Sequence, residues 1–254
     1  MELNKVEKPN KLIVDINNLN IGYNNQTILS NINLQIPQGQ CWAIIGPSGS
    51  GKTTLFKTIN TLIKPLKGSL KLIDIPVDSK KSISRLKGKI GYIPQNLGLI
   101  SNLNVKENIL TGSLGRLSIF QSIFGIIPED EIINTSKIMK QLKIDHLANK
   151  DIRLISGGEK RRVAIARSLL HNPPLLVADE LLSELDPLTV KLVMNQVKSL
   201  QNKSNTTIIL IEHNIEVAAK YADVIVVINE GKILSQFFST DTSKINEIKE
   251  LITT

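Results

Sequence analysis

Trp42-Ala43-Ile44-Ile45-Gly46-Pro47-Ser48-Gly49-Ser50-Gly51-Lys52-Thr53-Thr54 decides the fold of this chain. The apolar run 42–45 has the character of a buried parallel strand, and it leads straight into Gly46. Beyond Lys52 the apolar residues Leu55, Phe56, Ile59, Leu62 and Ile63 fall at helical spacing, and the predicted helix stops before Pro65. Strand, glycine-rich turn and helix in direct succession read as a phosphate-binding loop. Gly46, Gly49 and Gly51 let the backbone wrap closely and aim N–H groups inward, with Pro47, Ser48 and Ser50 between them. A polyphosphate then meets a helix start, whose dipole favours anions. Lys52 is expected to reach the β- and γ-phosphates, Thr53 to offer its hydroxyl to Mg²⁺, and Thr54 to touch the α-phosphate. The competing reading is a chance match in a glycine loop, and the flanking strand and helix weigh against it.

Two further features work outward from the loop. The run Leu175-Leu176-Val177-Ala178-Asp179-Glu180 reads as a buried strand ending in two acids. Such a strand delivers both carboxylates to the edge where ligands of open α/β sheets bind. Asp179 is expected to hold Mg²⁺ through water and Glu180 to polarise an attacking water. Alone, the pair would be an exposed acidic turn. The stretch Ser156-Gly157-Gly158-Glu159 has the spacing of a capping box. It serves as a cap only, or its two glycines leave the helix start open to a second anion. If the loop and this helix start grip one nucleotide, either the chain folds so that they meet, or two chains meet head-to-tail.

The 254 residues, 41% hydrophobic, suffice for one α/β domain with an inserted subdomain. The formal charge of +8 allows nucleic acid or an anionic membrane as partner, but aromatics are only 4%. The densest basic stretch, Lys80, Lys81, Arg85, Lys87 and Lys89, reads as a solvated face. One cysteine, Cys41, excludes an intrachain disulfide and sits in an apolar run as a packing residue. Residues 1–10 are polar, with no apolar core for a signal peptide. No segment has the roughly 18–20 apolar residues of a membrane span. The nearest, 117–128, is broken by Ser118, Gln121 and Ser122.

Short strands are predicted over 12–14, 19–23, 28–29 and 32–36, with Asn24-Asn25 as a turn. Residues 90–94 form a strand leading to Gln95. From about 96 to 155 helical patterns dominate, as over 132–142. Strand character returns at 175–178, 206–211 and 224–228. The tail, 243–254, carries Ile245, Ile248, Leu251 and Ile252 on one helical face.

In this order, the motifs resemble those of the ATP-binding cassette ATPases over nearly the whole chain. The resemblance implies a RecA-like P-loop NTPase core with an N-terminal antiparallel β subdomain (1–95 and 156–254) and an inserted α-helical subdomain (96–155). Tyr23 then stacks on adenine, the competing reading being a core tyrosine. Gln95 touches Mg²⁺ and senses a transmembrane partner. Residues 155–159 match the family signature, with Ile155 for leucine and Glu159 for glutamine. Ser183-Glu184-Leu185-Asp186 resembles the loop that crosses the dimer interface. His213 stands where the switch histidine contacts the γ-phosphate. One departure is Leu181-Leu182, where the family has proline after the glutamate. Proline would stiffen that turn. Two copies are implied to sandwich two ATP molecules with Mg²⁺, so that the isolated chain is a poor ATPase.

A finer resemblance lies in Glu107-Asn108-Ile109-Leu110-Thr111-Gly112-Ser113-Leu114-Gly115-Arg116, continuing through Phe124-Gly125 and Pro128-Glu129-Asp130. It is similar to the same segment of phosphonate importer ATPases, where it receives a helix of the membrane subunit. The competing reading is a helical subdomain core. The resemblance implies a homodimer on two permease subunits at the cytoplasmic face of a bacterial inner membrane, fed by a periplasmic phosphonate-binding protein. Two alternatives stay open. One is a transporter ATPase for another small solute. The other is a cassette acting on DNA or the ribosome, although the chain has neither a coiled-coil insertion nor two fused cassettes.

Overall fold

The computed structural model describes residues 11–24, 26–117, 120–121, 125–182 and 185–253. Asn25, Ser118, Ser122, Phe124, Ser183, Glu184, residues 1–10 and Thr254, all named above, lie outside the described residues. The chain starts with β1 (Leu12–Tyr23) and β2 (Gln26–Pro37), paired antiparallel. Sequence pattern predicts shorter pieces here. The structure joins them into two long strands because bulges absorb the interruptions, with register shifts between Ile16 and Leu19 and between Leu19 and Ile21. Asn18 and Asn31 take positive φ there, a conformation asparagine tolerates.

β3 (Cys41–Ile45) leads through the glycine loop into α1 (Lys52–Ile59). α1 ends a turn earlier than its apolar spacing predicts. Asn60 Nδ2 donates to the Phe56 carbonyl at 2.9 Å, and Thr61 turns left-handed at φ 60°. Leu62 is therefore exposed rather than packed. There follow β4 (Lys67–Leu72), β5 (Ile75–Pro76), α2 (Lys80–Ser84) and β6 (Ile90–Ile93). The five basic residues from Lys80 to Lys89 are all exposed, as a solvated face requires.

The next described elements are helical: α3 (Val105–Leu110), a 3₁₀ turn over Thr111–Arg116, α4 (Glu129–Gln141) and α5 (Gly157–His171). Then come β7 (Leu175–Asp179), α6 (Pro187–Ser204), β8 (Thr207–Ile211), α7 (Ile215–Tyr221), β9 (Val224–Asn229), β10 (Lys232–Phe238) and α8 (Thr242–Thr253). On α8, Ile248 is buried, Ile245 half-buried and Leu251 exposed; the Ile252 side chain lies outside what the structure describes. No helix among the described residues is long and apolar enough to cross a membrane.

The strands form two sheets. One is antiparallel, in the order β2-β1-β4-β5; the other runs β10-β9-β3-β8-β7-β6 and is parallel except at β10. Alternation along β3 explains the layering. Trp42 and Ile44 enter one core with Leu55 and Phe56 of α1 and with Ile16 and Leu34 of the antiparallel sheet. Cys41, Ala43 and Ile45 enter the other, with Val163 and Ala166 of α5 and Val193 and Val197 of α6. The six-stranded sheet is thus buried on both faces, which is why its strands read as continuous apolar runs. Because β6, β7, β8 and β3 are parallel, their C-terminal ends lie along one edge. That edge carries Gln95, the two acids, His213 and the glycine loop.

Candidate active site

The loop is shaped by its glycines and closed by its lysine. Gly51 caps α1 at φ 105°, where a side chain would run into Leu29 Cδ2 at 2.5 Å. Gly46 takes φ 154°, and a Cβ there would strike the Ile228 carbonyl at 2.0 Å. Lys52 folds back over the loop, its Nζ donating to the Gly46 and Pro47 carbonyls at 2.8 Å each. Burial lowers the Lys52 pKa, while Asp179 and Glu180 oppose that shift. Ser50 Oγ is buried with no hydrogen-bond partner among the described residues. An orphaned hydroxyl and an ammonium held on loop carbonyls at a helix start fit a bound phosphate. Thr54 is buried and Thr53 exposed, so the Thr53 hydroxyl can reach a ligand from outside.

Glu180 is the hub of the acidic end. Its Oε2 accepts from Gln95 Nε2 at 2.8 Å, and its Oε1 lies 2.7 Å from His213 Nε2. The structure therefore joins three residues that lie far apart in the chain. Asp179, 8% exposed, ends β7 beside them. Burial raises its pKa first and the neighbouring Glu180 adds to this, against His213, Lys52 and Lys57. With its nitrogen on Glu180, Gln95 has its carbonyl oxygen left for a cation. An amide oxygen, a carboxylate and a hydroxyl (Gln95, Asp179, Thr53) are the hard donors that suit Mg²⁺. Among the described residues no cluster of three His, Cys, Asp or Glu offers a different metal site.

The capping box forms. Glu159 N donates to Ser156 Oγ at 3.3 Å, and Glu159 Oε2 accepts from Ser156 N at 2.8 Å. Around Gly157 and Gly158 an added Cβ would meet nothing within 4 Å, so the start of α5 is bare. No hydrogen bond or ion pair among the described residues joins this turn to residues 46–54. Tyr23 is 42% exposed at the end of β1 and is not a core residue. Asp186 caps α6, its Oδ1 accepting from Leu188 N at 3.0 Å and Thr189 N at 3.1 Å; the Thr189 hydrogen bonds hold its pKa down.

Two residues escaped the sequence reading. Arg161, early in α5, donates through Nη1 to the Glu180 carbonyl. Glu212, after β8, accepts from Leu182 N through Oε1 at 3.3 Å. Both are 5% exposed, and burial raises the Glu212 pKa to about 7. For Glu212 the cue was a charge closing the apolar run 208–211; Arg161 stands in a charged stretch, Glu159 to Arg162, and offered none. The Leu181 and Leu182 side chains are buried in the helical-side core. A separate 450 Å³ cavity between α4, α5 and α6, reached by Arg116, Lys137 and Lys203, involves none of the nominated residues.

A family model described as ABC transporter matches residues 29–183. The phosphonates import ATP-binding protein PhnC of Fusobacterium nucleatum is 36% identical over 237 residues, covering 92% of this chain and 95% of its own length. Its counterpart in Mesoplasma florum is 34% identical over 234 residues, covering 89% and 92%. Among solved structures, cbiO1 from Clostridium perfringens, part of the ABC transporter complex cbiONQ, aligns with a TM-score of 0.78 at 30% identity over 95% of this chain and 94% of its own. The dimeric bacterial ABC transporter cassette MJ0796 aligns with a TM-score of 0.79 at 28% identity over 89% and 98%, and has also been solved bound to ADP and Pi.

Proposed function

The chain belongs to the ABC transporter family, and from that membership we propose that it is the ATP-hydrolysing motor subunit of a phosphonate importer. The observation that carries the hydrolytic half is the Glu180 carboxylate held between Gln95 and His213 at the edge where the phosphate loop opens. The phosphonate half rests on the relatives that carry that name over nearly their whole length.

In this reading the amine of Lys52 turns from the Gly46 and Pro47 carbonyls to the β- and γ-phosphates. The backbone N–H groups of residues 46–54 hold the rest of the polyphosphate, and Tyr23 lies against adenine. Thr53, Gln95 and Asp179 would hold Mg²⁺, which would supply charge neutralisation to the phosphates. Glu180 accepts a proton from the attacking water, a step commonly worth about 10²–10⁴-fold. His213 faces the γ-phosphate. The bare start of α5, residues 156–159, serves the nucleotide of a second copy, with Asp186 near the contact. Residues 96–155 act as the helical subdomain, on which two permease subunits rest at the cytoplasmic membrane face. A periplasmic phosphonate-binding protein delivers the solute.

Growth on a phosphonate as sole phosphorus source, with and without this gene, tests the substrate. Growth lost only on phosphonate supports it. Equal growth of both strains, with phosphonate uptake unchanged, refutes it.

A further inference from the structure

We propose that Arg161 and Glu212 are positioning residues for hydrolysis, clamping the 180–182 turn from its two ends so that the Glu180 carboxylate points into the site. This rests on the reading of Glu180 as the hydrolytic carboxylate.

Glu180 has a left-handed backbone, φ 51°, which is strained for a non-glycine residue and persists only where the surroundings hold it. Hydrogen bonds from three directions are among those that hold it here. Glu180 N donates to Ile211 O at 3.0 Å, Arg161 Nη1 donates to Glu180 O, and Leu182 N donates to Glu212 Oε1. The first belongs to the sheet edge. The other two use side chains with strongly polar heads, each 5% exposed. Burying a guanidinium and a carboxyl is expensive unless each is paired. Their bonds to this one turn give both burials a purpose.

The turn also has no restraint of its own. A proline after the glutamate would fix a backbone dihedral from within. Leu181 imposes no such limit, and its apolar side chain packs into the core without fixing the peptide planes. Arg161 and Glu212 supply that restraint from outside. Arg161 stands on α5, which begins at the bare Gly157-Gly158 start. The same helix thus carries the group that faces a second nucleotide and the group that orients Glu180.

The test uses the full chain and reads steady-state ATP turnover, ATP affinity and melting temperature for five variants. Glu212→Ala and Arg161→Met are expected to lose about tenfold or more in kcat, as small misplacements do, with ATP affinity near the parent's and at temperatures well below their melting. Glu212→Gln keeps an acceptor and is expected to retain most of the rate; Arg161→Lys keeps a donor and is expected to recover part of it. Parent-like kcat in Arg161→Met, or equal losses in Glu212→Ala and Glu212→Gln, overturns the clamp. Should Glu212→Ala fail to fold, the Arg161→Met and Arg161→Lys pair decides. Glu180→Gln runs alongside. If it hydrolyses normally, the reading of Glu180 fails; if it is arrested while Arg161→Met and Glu212→Ala turn over normally, only the clamp fails.

Discussion

His213 Nε2 lies 2.7 Å from Oε1 of Glu180, across the ends of two neighbouring parallel strands. The carboxylate's other oxygen is taken by Gln95 at 2.8 Å. With both oxygens engaged, the acid is held in place by Gln95 on one side and His213 on the other. In the proposed mechanism, a carboxylate oriented this way needs only a water to act on.

Glu180→Gln keeps the size of the side chain and removes the proton acceptor. We expect turnover to fall by about 10²-fold or more while ATP still binds. Phosphate release and size-exclusion chromatography check this, with an ATP-bound dimer expected to accumulate. Hydrolysis at the parent's rate would place the base elsewhere.

Lys52→Ala removes the ammonium that closes over the Gly46 and Pro47 carbonyls. A charge-assisted hydrogen bond to phosphate is worth about 1.5–3 kcal/mol, so ATP affinity should weaken by at least about tenfold. Titration with a fluorescent ATP analogue measures it. Affinity equal to the parent's would count against the loop as the binding site.

Gly157→Ala separates a helix cap from an anion site. The added methyl meets no neighbour within 4 Å, and alanine favours the helix over glycine by up to about 1 kcal/mol. The chain alone should melt at the same temperature or higher. ATP turnover should drop by about tenfold or more, because the methyl would crowd the helix start proposed to serve a second copy's nucleotide. Unchanged turnover would leave only the cap.

Glu212→Gln probes a pH dependence whose sign is determined. Burial raises this carboxyl from 4.5 to about 7, so the folded chain binds the proton more tightly than the unfolded chain. Its contribution is neutral below about pH 4.5, becomes destabilising as pH rises, and reaches its full cost above about 7. At about 1.4 kcal/mol per unit, that cost is about 3 kcal/mol. The glutamine variant should therefore melt higher than the parent at pH 8, with the difference shrinking towards pH 4.5. Calorimetry across that range checks it, and a difference independent of pH would contradict it.

Sequence by itself determined the local pieces. The strand, glycine turn and helix at 42–54, the buried strand ending in Asp179 and Glu180, and the box at Ser156 and Glu159 depend on periodicity and turn chemistry, which act between near neighbours. Even there, the early end of α1 turned on the left-handed turn at Thr61, with Leu62 N bonded back to the Lys57 carbonyl, which apolar spacing does not register. Only the tertiary structure decided that Gln95, Glu180 and His213 would meet, because that follows from β6, β7 and β8 lying side by side and parallel. The approach of Arg161 and Glu212 to one turn was hidden for the same reason. Each partner is supplied by strand order and helix packing across the sheet, and residues distant along the chain are matched by the shared cost of leaving a buried polar group alone.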